Sequence, residues 1–233
     1  MSMSATYDFH RGAGHAAALL VMLPGAKARA QDFIEHGFVR AIRGHGLPLD
    51  VALVDADFGL YLERTFTAQL STQVIQPALA KNTRRIWLMG ISLGGGGALN
   101  YTRGHPGAIE GVVVLAPFLA TTGTIAEVVR AGGWPGWDAQ AIDGDDEERQ
   151  LLAWIKAYRP EAEDVPAIHL GYGTEDRFVA ASELLAQRLP STHVVSTEGG
   201  HDWPTWSNLW RKLLERGLFA TDNPRAHLPL GNP

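Results

Sequence analysis

Cysteine is absent from this 233-residue chain. It therefore has no disulfide framework, no thiolate nucleophile and no cysteine-based metal site. No apolar stretch approaches the roughly 20 residues that a membrane-spanning helix needs. Clustered Lys and Arg are lacking too, and the formal net charge is −5. That balance argues against nucleic acid as a partner and leaves an anionic substrate open. Internal repeats, heptads and low-complexity tracts are missing. What is there is an ordinary globular composition, 45 % hydrophobic and 19 % charged, with no bias towards disorder. The length suits one domain over residues 1–233, large enough to bury a sizeable core.

Near the N-terminus, Arg11, the apolar run 16–23 and Ala28-Arg29-Ala30 imitate an export signal with an A-x-A cleavage site. Asp8 precedes the run and Lys27 and Arg29 follow it, and cleavage would remove a strand and loop that the fold needs. The expected location is cytoplasmic.

Short apolar runs alternate with segments of helical period, the pattern of a parallel sheet covered on both faces. Strands are predicted at 16–23, 51–54, 86–89, 111–116, 168–172 and 193–196, and helices at 30–43, 62–81, 93–103, 179–189 and 205–215. In the second helix Phe66, Leu70, Val74, Ile75 and Leu79 recur at helical spacing, a core stripe. The last helix, with Trp203, Trp206, Leu209, Trp210, Leu213 and Leu214, offers apolar surface for core packing and for a homodimer contact. The alternation breaks after Ala116. Residues from about 118 to 160 form a cap or lid insertion rich in Gly and Trp, with one helix that ends near Tyr158. The acidic cluster Asp143, Asp145, Asp146, Glu147 and Glu148 suits the positive end of that helix. From about 221 an irregular tail follows.

The segment Gly90-Ile91-Ser92-Leu93-Gly94 reads as a G-x-S-x-G nucleophile elbow, because a buried strand precedes it and a small-residue helix follows. The sharp turn strains the serine backbone and requires small residues two before and two after it. A serine hydroxyl is a poor nucleophile near neutral pH and needs a base, which in turn needs an orienting acid. Both lie downstream in the expected order: Asp176 in Gly173-Thr174-Glu175-Asp176, and His201 in Gly199-Gly200-His201. Each sits in a loop at the carboxyl end of a predicted strand, where open α/β sheets hold ligands. Glu175 and Asp164 compete with Asp176, the first one residue off and the second before its strand. Of the nine histidines, His10, His15, His36, His45, His105 and His227 fall in settings that imply no partner. His169 and His193 sit in strands.

These three ordered motifs resemble the α/β-hydrolase fold family, especially its small serine esterase and thioesterase-like members, over about residues 16–215. The resemblance implies a three-layer α/β fold with a mostly parallel sheet of about six or more strands and helices on both faces. It implies Ser92 as nucleophile, His201 as base and then acid, and Asp176 as the residue that fixes the imidazole. It also implies an oxyanion hole made by the Leu93 amide and, from Pro24-Gly25-Ala26, the Ala26 amide. Pro24 stands where the family has His, which removes one orienting hydrogen bond. No metal or other cofactor is called for: Asp202 beside His201 is no recognised metal spacing, and Gly94 to Gly97 lack the ending of a phosphate loop.

The reaction implied is hydrolysis of a carboxylic ester or thioester of a small apolar acyl substrate through an acyl-serine. Phe118, Leu119, Trp134 and Trp137, in the insertion, are candidate pocket residues. The tryptophans could equally anchor the insertion. Small-substrate peptidase action and perhydrolysis use the same groups, and a non-catalytic binding protein of this fold is the alternative of another class.

Overall fold

The computed structural model describes residues 2–219 apart from 13–15, 17, 82, 84, 140–141 and 163–164. The tail from about 221, His15, His227 and Asp164 lie outside the described residues. Seven strands form the sheet: β1 Met3–Asp8, β2 Ala18–Leu23, β3 Leu49–Ala56, β4 Ile86–Ile91, β5 Gly111–Leu115, β6 Ala167–Gly173 and β7 Val194–Thr197. Their spatial order is β1-β3-β2-β4-β5-β6-β7. All neighbours run parallel except β1, which pairs antiparallel with β3 at the edge, Met3 opposite Ala56. The sequence pattern misses β1 because only its first residue is buried, so it shows no apolar run. The run that imitates an export signal contains β2, an interior strand with every residue buried.

Period-two alternation divides each central strand between two cores. Leu19, Val21 and Leu23 of β2 and Leu88 of β4 face one core, whereas Leu20, Met22, Met89 and Ile91 face the other. The second core is closed by α1 Ala30–Glu35, α2 Phe38–Gly44 and the last helix, Trp203–Glu215. There Trp206, Leu209, Trp210, Leu213 and Leu214 are all buried, so that apolar stripe is used within the chain. Residues 30–43 form two helices rather than one because Gly37 takes a left-handed φ of 79° between them.

The first core is closed by the remaining helices. After β3 come α3 Gly59–Leu62, α4 Phe66–Leu70, a π turn Ser71–Ile75 and α5 Gln76–Ala80. The break between α3 and α4 falls at Arg64, which has a φ of 56°. Pro77 has no N–H to give Gln73 and its ring crowds that carbonyl, which accounts for the wider turn just before it. Then α6 Leu93–Gly104, α7 Thr122–Arg130, α8 Glu147–Ala157 and α9 Val179–Ala186 follow, before the last helix, α10.

The insertion holds two helices, not one. Glu148 ties them together by accepting from the Thr121 amide and from the Thr121 and Thr124 hydroxyls, at 2.8–3.0 Å. At the start of α8 the Asp146 side chain caps the Arg149 amide at 3.0 Å. No helix among the described residues is long and apolar enough to cross a membrane.

Candidate active site

The chain leaves β2 for β3 on one side and then returns to β4 on the other, so a crevice opens at the carboxyl ends of β2 and β4. Ser92 stands there, between β4 and α6, with φ 52° and ψ −115°. For a residue with a side chain this is a costly backbone, held by its surroundings. The Ser92 amide donates to Leu115 O at 2.9 Å, and its carbonyl accepts from the amides of Phe118 at 2.8 Å and Gly96 at 3.1 Å. The two elbow glycines are required by contact. A Cβ on Gly90 would lie 2.3 Å from Gly94 O, and one on Gly94 would lie 2.2 Å from Leu23 O.

His201 and Asp176 reach Ser92 from the ends of β7 and β6. His201 Nε2 lies 2.9 Å from Ser92 Oγ, and His201 Nδ1 lies 2.7 Å from Asp176 Oδ2. Asp176 is buried, and its other oxygen accepts the Phe178 amide at 2.8 Å. Both loops are braced against each other: Glu175 donates its amide to Gly199 O at 3.0 Å, and a Cβ on Gly173 would lie 2.2 Å from that oxygen. Gly199 has a φ of 129°, the reason for glycine before the histidine. Asp202 caps α10 by accepting the Thr205 amide at 2.9 Å, so its role is local. The edges of Phe178 and Trp206 pack on the imidazole at 5.1 and 5.0 Å between ring centroids. Glu175 is exposed. Among the described residues no group of three or more His, Asp or Glu could hold a metal ion.

The oxyanion candidates both border the cleft at Ser92. Leu93 opens α6, where an amide has no intrahelical acceptor, and neither it nor Ala26 donates a backbone hydrogen bond elsewhere among the described residues. Gly25 packs against Ser92, since a Cβ there would lie 3.5 Å from the serine Cβ. With Pro24 in place of histidine, the loop is instead shaped by a turn, Ala28 N to Gly25 O at 3.0 Å, and by Gly94 pressed beneath it. An imidazole poised between a hydroxyl and a carboxylate can draw the hydroxyl proton during attack on a carbonyl and return it to a leaving group.

Two spaces meet at Ser92. A cleft of about 1480 Å³ runs along α6, and a lobe of about 60 Å³ lies on the other side. Phe118 and Leu119 border both. Trp134 and Trp137 border neither. They are buried in the first core, with the Trp134 indole N–H on Leu184 O at 2.8 Å and that of Trp137 on Glu127 at 3.0 Å. Of the two roles open to them, anchoring the insertion is the one their contacts serve. Conversely, Tyr61 and Asn100 line the cleft although no sequence motif marks them. Burial pushes the Tyr61 phenol well above its ordinary value, which keeps it a neutral donor. The one legible signal is the α6 face itself, with Leu93, Gly96, Gly97, Asn100 and Arg103 at three- and four-residue steps.

A family model described as "Putative esterase" matches residues 61–218. The chain belongs to this esterase family. A search of curated protein sequences finds no match. Among solved structures, S-formylglutathione hydrolase from Staphylococcus aureus is similar at a TM-score of 0.60 and 12 % identity, covering 92 % of this chain and 96 % of that one. Est1E from Butyrivibrio proteoclasticus aligns at 0.57 and 16 %, covering 93 % and 95 %. The monoacylglycerol lipase of Paleococcus ferrophilus aligns at 0.54 and 16 %, covering 94 % and 98 %. At these identities the likeness carries the α/β-hydrolase fold, and the family match makes this esterase-family chain a hydrolase of esterase type.

Proposed function

We propose that the protein hydrolyses a carboxylic ester or thioester of a small acyl group through an acyl-serine intermediate on Ser92. The observation that carries this reading is the hydrogen-bonded series Ser92 Oγ, His201 Nε2, His201 Nδ1, Asp176 Oδ2, at 2.9 and 2.7 Å. In the reading, His201 takes the Ser92 proton as Oγ attacks the carbonyl carbon. The amides of Leu93 and Ala26 stabilise the oxyanion, and His201 then protonates the departing alkoxide or thiolate. Water attacks the acyl-serine with His201 as base, and the acid leaves. Asp176 holds the imidazole with Nδ1 protonated, so that Nε2 faces Ser92 as an acceptor.

Pre-steady-state hydrolysis of p-nitrophenyl acetate tests this. The wild type should release a burst of p-nitrophenolate equal to the enzyme present, or turn over steadily if deacylation is fast, and Ser92→Ala should do neither while keeping its fold by circular dichroism. Undiminished turnover by Ser92→Ala would reject the mechanism.

A further inference from the structure

The two spaces at Ser92 differ more than twentyfold in volume, about 60 against 1480 Å³. An apolar cavity of about 150 Å³ admits benzene, so the lobe is too small for an aromatic ring and accommodates a few aliphatic carbons. It is lined mainly by Ala116, Leu119, Ile125, Ala180 and Ala181, with Ser92, Arg177 and His201 also on its border. The wall is fixed. Ala116 carries a φ of 45°, its amide is held by Gly171 O at 2.8 Å, and the Phe118 amide is held by Ser92 O at 2.8 Å. Ala181, Leu119 and Ile125 are buried core residues.

The cleft is of the other kind. At 1.5 Å per residue, Asn100 lies about 12 Å along α6 from Ser92. Tyr61 and Asn100 both line the cleft, and Tyr61 Oη and Asn100 Oδ1 are buried without a hydrogen-bond partner among the described residues. Such groups cost stability unless something supplies the bond. The leaving atom must lie against His201 Nε2; His201 borders both spaces, and its neighbours Trp203 and Trp206 border the cleft alone. The lobe lies on the side of residues 116–120, which follow β5.

We infer that the substrate is asymmetric: an acyl group of about two to four carbons in the lobe, and a larger leaving arm that hydrogen-bonds to Tyr61 and Asn100 in the cleft. This rests on the acyl-serine reading above and adds the class of ester. The arm best suited is a polyhydroxy alcohol, because one hydroxyl can accept from the phenol and donate to the amide oxygen.

Two substrate series test it, each run on wild type and on Ser92→Ala. With p-nitrophenol fixed as leaving group, kcat/KM should hold from acetyl to butyryl and fall at least about tenfold by octanoyl and by benzoyl, the scale of misfit in a rigid apolar pocket. Ile125→Ala should restore octanoyl turnover. Should that variant fail to fold, Ala180→Leu should shift the cut-off down to acetyl instead. With acetyl fixed, glucose and glycerol esters should have a lower KM than hexyl acetate, and Tyr61→Phe and Asn100→Leu should raise KM for the polyol esters alone, with kcat kept. Equal rates across the acyl series, or a cut-off in the alcohol series instead, would overturn the inference and leave the serine mechanism standing. Turnover that persists in Ser92→Ala would strike the mechanism itself.

Discussion

Replacing Asp176 by Asn changes one atom of a buried side chain, and its surroundings determine how the amide must sit. Asp176 Oδ1 accepts the Phe178 amide at 2.8 Å, and Oδ2 faces His201 Nδ1 at 2.7 Å. In the Asp176→Asn variant, the oxygen must stay on the Phe178 side to satisfy that buried N–H, which turns the NH₂ group towards Nδ1. Two donors would then meet, so the imidazole gives up the Nδ1 proton and carries it on Nε2, where it faces Ser92 as a donor. The base is lost while the geometry survives. In Ser-His-Asp sites this exchange of tautomer lowers kcat by about 10⁴, equivalent to about 5.4 kcal/mol of barrier. Steady-state kinetics on p-nitrophenyl acetate with Asp176→Asn should show that loss in kcat, with KM little changed and the thermal midpoint within a few degrees of wild type. Activity within tenfold of wild type in the folded variant would refute the reasoning, because the imidazole would then not depend on Asp176 for its tautomer.

Other perturbations reach the elbow, the insertion and a buried histidine. Gly94→Ala places a methyl group about 2.2 Å from Leu23 O and 2.5 Å from Pro24 O; the elbow or the 24–26 loop must shift, and kcat/KM should fall about 10²-fold or more. Unchanged kinetics would show the oxyanion loop to be dispensable. Trp134→Ala should cost about 3–5 kcal/mol of stability, read by denaturant unfolding, while the acyl-length profile of the folded fraction stays the same; an altered profile would return Trp134 to the pocket. His169 is pushed down to about 3 by burial and by the neighbouring His193. Between about pH 6.5 and 3 the unfolded chain therefore binds the proton that the folded chain refuses, and stability falls as pH falls through that window. At pH 4.5 the linkage amounts to about 2.7 kcal/mol. His169→Gln should flatten this acid limb in unfolding midpoints measured from pH 7 to 4.5; an unchanged slope would assign the limb to other groups.

The interior strands β2, β4 and β5 are legible because, buried throughout, they read as unbroken apolar runs, and the elbow is legible because Gly90 and Gly94 have no tolerable substitute beside Gly94 O and Leu23 O. The order Ser92, Asp176, His201 points to partners that the fold does bring within hydrogen-bond reach. Breaks in helices are less visible. The one at Gly37 follows from a single backbone angle, and the π turn before Pro77 from a carbonyl displaced by a ring. The insertion is harder to read because tryptophan serves a core as well as a pocket, and only the partners of the two indoles, Leu184 and Glu127, separate the roles. Tyr61 and Asn100, some 40 residues apart in the chain, line one cleft, an arrangement that no local pattern encodes.

Whether Ser92 carries the acyl group is measured most directly by peptide mass analysis of enzyme rapidly acid-quenched during turnover of p-nitrophenyl acetate. An acetyl group on the peptide that contains Ser92, absent from Ser92→Ala, is the expected result. Turnover with no acetyl at Ser92 under any quench time, or an acetyl group transferred to another residue that sustains catalysis in Ser92→Ala, would contradict it.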